Sequence, residues 1–404
     1  MVRSTDLEKS NFTDNVKYIS EHSYNFLEKS KLFGGEILIN KIGNPGRVYM
    51  MPNLNRPVSL GMNLFMLRLS KESNYKEKYV WAFLNTEIGQ NIIRRKVNGT
   101  APLTIDKEAV RTLYLPKASA DFQKLIEKTI TNSEDTLVHS KMAYQQAETI
   151  LLNEVAFDKL KLSTDSVNIK NFKDSFEKSK RLDAEYYQKK YEQIVSLISS
   201  LPHNTLNNIV QMVKSIEPGS KHYSEEEGLP FYRVSDYSKF GLSKPDKMLT
   251  NSFVTDNKSM IDELMPKEGT ILFSKDGSVG TAYLLREDLD GITSGAILHL
   301  KVKNNKEILP EYLTLALNSK LVQMQAERDA GGSIILHWRK EEIEQVVVPI
   351  IDFKKQEQIA ELVEESFKLK TESERLLEVA KKAVEIAIET DEKTAIKFIK
   401  DNEI

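Results

Sequence analysis

Short runs of alternating apolar and polar residues, each followed by amphipathic helical spacing, pattern this chain, and the pattern is run through twice. Residues 1–33 are polar, with a helix predicted over 21–32 that stops at Gly34-Gly35. The apolar pattern at 37–40 and 48–51 predicts two strands joined by the turn Ile42-Gly43-Asn44-Pro45-Gly46, and 64–69 predicts a third. Val80, Phe83, Leu84, Ile88 and Ile92 recur at helical spacing, which predicts a helix over 78–96 ending near Asn98-Gly99. A short strand at 112–115 runs into Pro116, and 121–155, free of Gly and Pro, predicts one long helix. A polar connector at 160–181 leads to a Tyr-rich helix at 181–201 that stops at Pro202. Within 205–250 the run Leu229-Pro-Phe-Tyr-Arg-Val-Ser-Asp236 is an aromatic strand signal. Strands at 270–274, 280–285 and 296–302, a helix at 311–327, a long helix at 353–389 and a frayed charged tail complete the pattern.

The pattern recurs because the residues do. GEILINKIGNPGRVYMMPNLNRPVSLG (35–61) falls on GTILFSKDGSVGTAYLLREDLDGITSG (269–295) at an offset of 234 (269 − 35), which sets Lys41 on Lys275, Gly43 on Gly277 and Gly46 on Gly280. Residues 79–116 fall on 312–349 at an offset of 233 (312 − 79). One residue of drift is what a single loop deletion produces. A period this long is a duplicated domain and not a solenoid unit of roughly 20–50 residues. Residues 205–250 have no counterpart in the first copy, which therefore reads as truncated.

The two long helices share a register. Leu362, Leu369 and Leu376 recur every seventh residue, and Ile359, Ser366, Ser373, Ala380 and Ala387 form a second row. The corresponding positions of the first helix are Ile126, Ser133, Ser140 and Ala147, flanked by Ile130, Leu137, Tyr144 and Leu151. Sustained heptads predict a coiled coil, and Ser and Ala in its seam allow close backbone approach. The predicted packing is antiparallel; the alternative is two solvent-bridging helices packed on separate domains.

Composition narrows the classes. At 404 residues roughly two to three domains are expected. No apolar run reaches the ~18–20 residues of a membrane span, and the start carries no signal-peptide core, so the expected compartment is the cytoplasm. Without cysteine there is no disulfide framework, thiolate metal site or cysteine nucleophile. The six histidines, His22, His139, His203, His222, His299 and His337, show no metal-ligand spacing, and neither HExxH nor GxSxG occurs. No catalytic site and no metal site is predicted. The net charge of −2 decides nothing about nucleic acid, which needs a local basic face.

The candidate binding residues sit at the repeated turns. Lys41 and Arg47 flank one turn, and Lys275 and Ser278 lie in the other. Each turn is read as a strand–turn–strand corner in which Gly supplies positive φ, or as a phosphate contact through backbone and Lys. No GxGxxG or GxxxxGK[ST] is present. Thr100 in the first copy and Ser333 in the second follow helices that end in cations, Arg95 and Arg328 among them, and Arg339 lies in the run after Ser333. They suit phosphate contacts, or simply the helix dipole; Trp338 beside them suits the core. Tyr232, Arg233 and Asp236 combine an aromatic strand with groups that read guanine and cytosine, or with an Arg–Asp pair that holds a loop.

Two homologous α/β halves, each followed by a long helix, resemble the specificity subunit (HsdS) of type I restriction–modification systems. The local likenesses are Leu229–Asp236, the GTILFSKDGSVG…ITSG block, Ala330-Gly-Gly-Ser333 through Val347-Val-Pro349, Ile351-Asp-Phe-Lys-Lys-Gln-Glu-Gln-Ile359 and Arg181-Leu-Asp-Ala-Glu-Tyr-Tyr187. They cover nearly the whole chain. The departure is at the front, where the first copy lacks a strand like 229–236. The resemblance implies an α+β fold: two homologous mixed α/β target-recognition domains joined by two long helices packed as an antiparallel coiled coil. It divides the chain into a truncated first recognition domain (1–119), a first spacer helix and connector (120–182), a second recognition domain (183–350) and a second spacer helix and tail (351–404). It implies a non-catalytic reader of a split site in double-stranded DNA. Its spacer helices would dock DNA methyltransferase subunits, and restriction/translocase subunits would complete the complex. S-adenosylmethionine, ATP and Mg are expected on those partners, with no cofactor on this chain. The rival reading is a coiled-coil scaffold whose two lobes bind protein.

Overall fold

The computed structural model describes all residues except Lys9, Asn11, Asp14, Asn15, Lys71, Ser333, Glu403 and Ile404. It resolves into two compact units, residues 139–368 and residues 1–138 together with 369–404, so that both long helices contribute to each.

In the 139–368 unit an antiparallel sheet runs in the order Ala282–Leu284, Ile271–Ser274, Ile297–Val302, Val210–Lys214. A second sheet places Leu229–Tyr232 between Ile292–Thr293, which it pairs in parallel, and Met248–Leu249. The core gathers Phe273, Tyr312 and Trp338, all buried. In the other unit Val48–Met50, Ile37–Asn40 and Leu64–Leu67 form a three-stranded antiparallel sheet. Registers match: Ile271 faces Leu284 and Leu300, and Ile37 faces Met50 and Leu67. Tyr312 Oη donates to the Pro349 carbonyl at 2.8 Å, as Tyr79 does to Pro116 at 3.2 Å. The two copies are therefore one fold, as the repeat requires.

They differ at the sheet edge. Among the described residues the first unit has no counterpart of the second sheet. There Val58–Ser59 is paired antiparallel by Lys31–Leu32, at the position where Ile292–Thr293 receives Leu229–Tyr232. Val2 bridges Leu60 as Ile216 bridges Ser294.

Five expectations change. The helix predicted over 21–32 ends at Phe26, and Lys31–Leu32 is a strand. The helices predicted over 78–96 and 311–327 are each two, Glu77–Leu84 with Glu87–Arg94, and Pro310–Asn318 with Lys320–Asp329. The break falls at equivalent residues, Thr86 and Ser319, whose hydroxyls donate at 2.7 Å to Phe83 and Ala316 carbonyls. Thr86 also caps the next helix, accepting from Gly89 N–H at 3.0 Å, whereas Ser319 makes no such side-chain bond. The strand predicted at 112–115 is unpaired. Its counterpart Val347–Pro349 pairs with His203–Thr205, which has no equivalent in the first copy. The helix predicted from 181 starts at Lys189. The tail is not frayed: Glu392–Asn402 is helical and buries Ala395 and Ile399.

The long helices, Ala120–Glu154 and Phe353–Glu389, run antiparallel within each unit. In the 139–368 unit Ser140 Oγ donates to the Ser366 carbonyl at 2.7 Å, and Glu154 pairs with Lys355 at 3.2 Å. In the other unit Ser133 and Ser373 hydroxyls donate to each other's carbonyls at 2.8 Å, and Ser119 N–H donates to Glu392 at 2.7 Å. Numbers rise on one helix as they fall on the other. The small-residue row forms the seam: Ile359, Ser366, Ser373 and Ala380 are buried, whereas Leu362 and Leu369 are half-buried.

A buried glutamine fixes the start of each long helix. Gln356 accepts from Leu309 N–H at 3.0 Å and donates to the Glu307 and Ile351 carbonyls at 3.1 and 3.0 Å. Gln123 repeats this with Lys76 N–H, Asn74 and Ala118 at 2.9, 3.0 and 3.0 Å. Further along, Arg286 grips Glu364 with two nitrogens and lies 3.4 Å over the Phe367 ring, while Lys78 reaches Thr131 and Glu134 in the other unit.

Gln356→Leu strands three backbone groups in the interior and is expected to destabilise the 139–368 unit by about 3 kcal/mol. Chemical denaturation of this variant beside Glu357→Ala, an exposed neighbour, checks it: only the glutamine change should shift the midpoint.

His299 supplies a pH prediction. It is buried, bonded to Thr293 Oγ1 at 2.8 Å, and burial lowers its pKa to about 4. The unfolded chain, near 6.5, binds more protons in between, so this contribution is complete above pH ~6.5 and is lost as pH falls toward 4, by on the order of 3 kcal/mol. His299→Met, which installs the residue found at the register-equivalent Met66, is expected to flatten stability between pH 6.5 and 4.5 relative to the parent in denaturant titrations.

Candidate nucleic-acid interface

Backbone hydrogen bonds bring the candidate residues of the second copy to one edge. Ser294 N–H donates to the Tyr232 carbonyl at 2.8 Å, Lys275 N–H to Ala296 at 2.9 Å, and Trp338 N–H to Lys275 at 2.8 Å. The segments 232–236, 294–296, 275–280 and 331–338 are thereby neighbours.

At its centre are two clasped loops. Gly280 N–H closes the turn on the Ser274 carbonyl at 2.8 Å, with Gly277 and Gly280 at positive φ. Gly277 N–H then donates to Leu336 at 2.9 Å, and Gly331 and His337 exchange bonds of 3.0 and 2.7 Å. The first copy repeats this. Gly46 N–H donates to Asn40 at 2.8 Å, Gly43 N–H to Leu103 at 3.3 Å, Ile105 N–H to Lys41 at 3.1 Å, and Asn98 and Thr104 exchange two bonds of 2.8 Å. Gln323 and Gln90 brace the turns through the Gly280 and Gly46 carbonyls. The strand–turn–strand corner is thus real, and it carries a second loop on its back.

The charges on the two copies differ. Lys275 pairs with Asp276, whose other oxygen meets His337 Nδ1 at 2.9 Å. Lys41 has Ile42 at that place; it lies 5.6 Å from the Phe65 ring centre, and no carboxylate pairs with it among the described residues. Arg95 and Thr100 are exposed, and Arg47 is exposed with Glu8 at 3.6 Å. Ser278 is exposed at the turn tip, and Arg339 is 66% exposed while capping its helix against Glu342. Ser333 lies outside the described residues.

Two candidates are occupied by the fold. Asp236 is buried, accepting from Arg233 N–H at 2.8 Å and from Ser235 Oγ at 3.0 Å, so its carboxylate holds a turn rather than facing outward. Arg328 is gripped by Asp329 at 2.6 and 3.0 Å and stacks on Tyr186. Burial there pushes the Asp329 carboxyl up despite the arginine. Arg233 is half-exposed; its Nε lies 3.6 Å from Asp236, too far to hydrogen-bond, and has no other partner. Tyr232 is half-buried, and burial raises its hydroxyl pKa. Trp338 is core, packed on Phe273. The sequence reading passed over Ile334, Ile335 and Leu336, which stand exposed at the loop tip. Three consecutive aliphatic residues between Gly332 and His337 were the available signal.

Residues 204–381 match the family model described as the type I restriction modification DNA specificity domain. This stretch is similar to the specificity domain of type I restriction–modification systems. The match takes in the second copy with both of its loops and most of the long helix behind it. No curated protein matches. Among solved structures, the chain is similar to the type I restriction–modification S subunit of M. genitalium, at 16% identity over 88% of this chain and 83% of that one, with a TM-score of 0.39. It is also similar to the HsdS subunit of Thermoanaerobacter tengcongensis, at 12% identity over 89% and 82%, with a TM-score of 0.32.

Proposed function

We propose that this chain is the non-catalytic DNA-reading subunit of a type I complex. Each α/β unit reads one half of a split site, and the long helices dock methyltransferase subunits that bring S-adenosylmethionine. A restriction/translocase subunit with ATP and Mg joins the same assembly. The observation that carries this reading is the duplicated pair of clasped loops, one contact surface built twice in one chain. A ligand with two half-sites suits two such surfaces. The cations at these loops, Arg47, Arg95 and Arg339 exposed and Lys41 half-buried, favour duplex DNA over the protein-binding scaffold. Lys41, Arg47, Arg95 and Thr100 serve the first surface; Tyr232, Arg233, Lys275, Ser278 and Arg339 serve the second, with Arg233 at base edges and most sequence reading in the second unit.

Lys41→Ala is expected to weaken binding to all sequences and to lower the salt slope by about one. Lys275→Ala, whose charge Asp276 already offsets, is expected to change the slope far less. Arg233→Ala is expected to cost ~1–3 kcal/mol on the cognate duplex and relax preference at one position. Binding of the methyltransferase complex to cognate and scrambled duplexes over a salt series checks all three. A complex with no DNA affinity would restore the scaffold reading.

Methyl transfer should require the partner. Purified chain with S-adenosylmethionine and cognate DNA is expected to give no product, and the co-purified methyltransferase complex is expected to give it. Transfer by the isolated chain would overturn the non-catalytic assignment.

A further inference from the structure

The clasped loop of the second copy ends in a feature that charge does not explain. Ile334, Ile335 and Leu336 are 95%, 55% and 42% exposed. An exposed run of aliphatic residues is costly to keep in water and marks a contact. The loop is narrow, because Gly331 and His337 are bridged at its base. Gly332 sits at φ +127°, where a Cβ would come within 2.1 Å of the Ile335 carbonyl oxygen, so the chain folds back tightly and the tip protrudes. A protrusion of this kind fits a groove better than it builds the broad core of a protein interface.

The segment itself carries basic groups and no acid, although Asp276 and Glu342 pair with its His337 and Arg339. From Ala330 to Lys340 the chain holds no acid, and His337 and Arg339 beside the tip are 63% and 66% exposed. The tip is also continuous with the edge that gathers Arg233, Ser294 and Lys275. The first copy has Leu103, 44% exposed, at the position of Leu336.

We propose that Ile334–Leu336 is an apolar finger that enters the groove of duplex DNA and packs on base edges, the thymine methyl group foremost. This rests on the DNA-reading assignment above and adds a contact that no cation supplies. Apolar contact with the thymine methyl reads sequence without neutralising phosphate. The finger therefore predicts a loss of affinity with an unchanged salt slope.

The test is the Ile334→Ser/Ile335→Ser double variant, co-purified with the methyltransferase, on cognate and scrambled duplexes over a salt series. Both side chains are exposed, so folding is expected to be intact, and circular dichroism with an unfolding midpoint equal to the parent's confirms it. The expected result is about tenfold weaker cognate binding, with scrambled binding and salt slope unchanged. Cognate duplex with thymine replaced by deoxyuridine is expected to weaken the parent and not the variant. Parent-like cognate binding by the variant overturns the finger while leaving the DNA-reading assignment standing. Loss of the methyltransferase from the purified variant also overturns it, making the tip a protein contact. Failure of the parent complex to bind any duplex is a distinct result that removes the assignment beneath it.

Discussion

Each long helix begins with a buried carboxamide, and the order of both units depends on it. Gln356 and Gln123 each close one backbone donor and two backbone acceptors with one side chain. An unpaired polar group in the interior is costly, so the satisfied geometry is narrow. The loop before the paired helices, the residues just ahead of the long helix and its first turn are held in one arrangement. An amide does this without charge, which avoids the desolvation cost of a buried ion. The direction in which a long helix leaves its sheet is thereby set at its root, before any contact further along.

Beyond that root the copies conserve backbone bonds and exchange side-chain chemistry. Register, helix break, tyrosine anchor and double loop recur bond for bond. The clamp on the long helix does not: Arg286 with Glu364 and Phe367 in one unit, Lys78 with Thr131 and Glu134 in the other. The same holds at the loops, where Asp276 partners Lys275 and, among the described residues, Lys41 beside Ile42 has no carboxylate. Backbone bonds depend on the path of the chain alone, so divergence spares them. Side-chain pairs can be replaced by any pair that spans the gap.

The repeat made most of the frame legible. Lys41 on Lys275 and Tyr79 on Tyr312 placed the turns and the helices in both units before any coordinate. The long helices and their small-residue row were legible from spacing alone. What escaped was of two kinds. Helix breaks at Thr86 and Ser319 turn on one hydroxyl's choice of partner, which apolar periodicity does not register. The strand at 112–115 was lost because its partner strand is missing from the first copy, a tertiary fact with no local trace. At the candidate interface, residue type was visible and availability was not. Asp236 and Arg328 look like reading groups in a sequence, and their buried partners lie too close in chain to be told from surface pairs. Ile334 to Leu336 read as an ordinary apolar run until their exposure is seen.

This distribution of charge bears on how such a surface discriminates. The chain holds 57 cations against 59 acids, so any basic face must come from local placement and not from the total. Many of its cations are then matched within the fold: Lys275 by Asp276, Arg328 by Asp329, Arg181 by Asp183, Arg286 by Glu364. A reader with abundant bare cations binds every duplex and leaves little difference between sites. A reader with many of its cations paired gives up part of that general affinity. In the DNA-reading role proposed above, the contacts that depend on position are a half-satisfied guanidinium at Arg233, hydroxyls at turn tips, and aliphatic side chains at the loop tip. Low general affinity and a short set of geometry-bound contacts are two sides of one electrostatic choice, and together they favour specificity over strength.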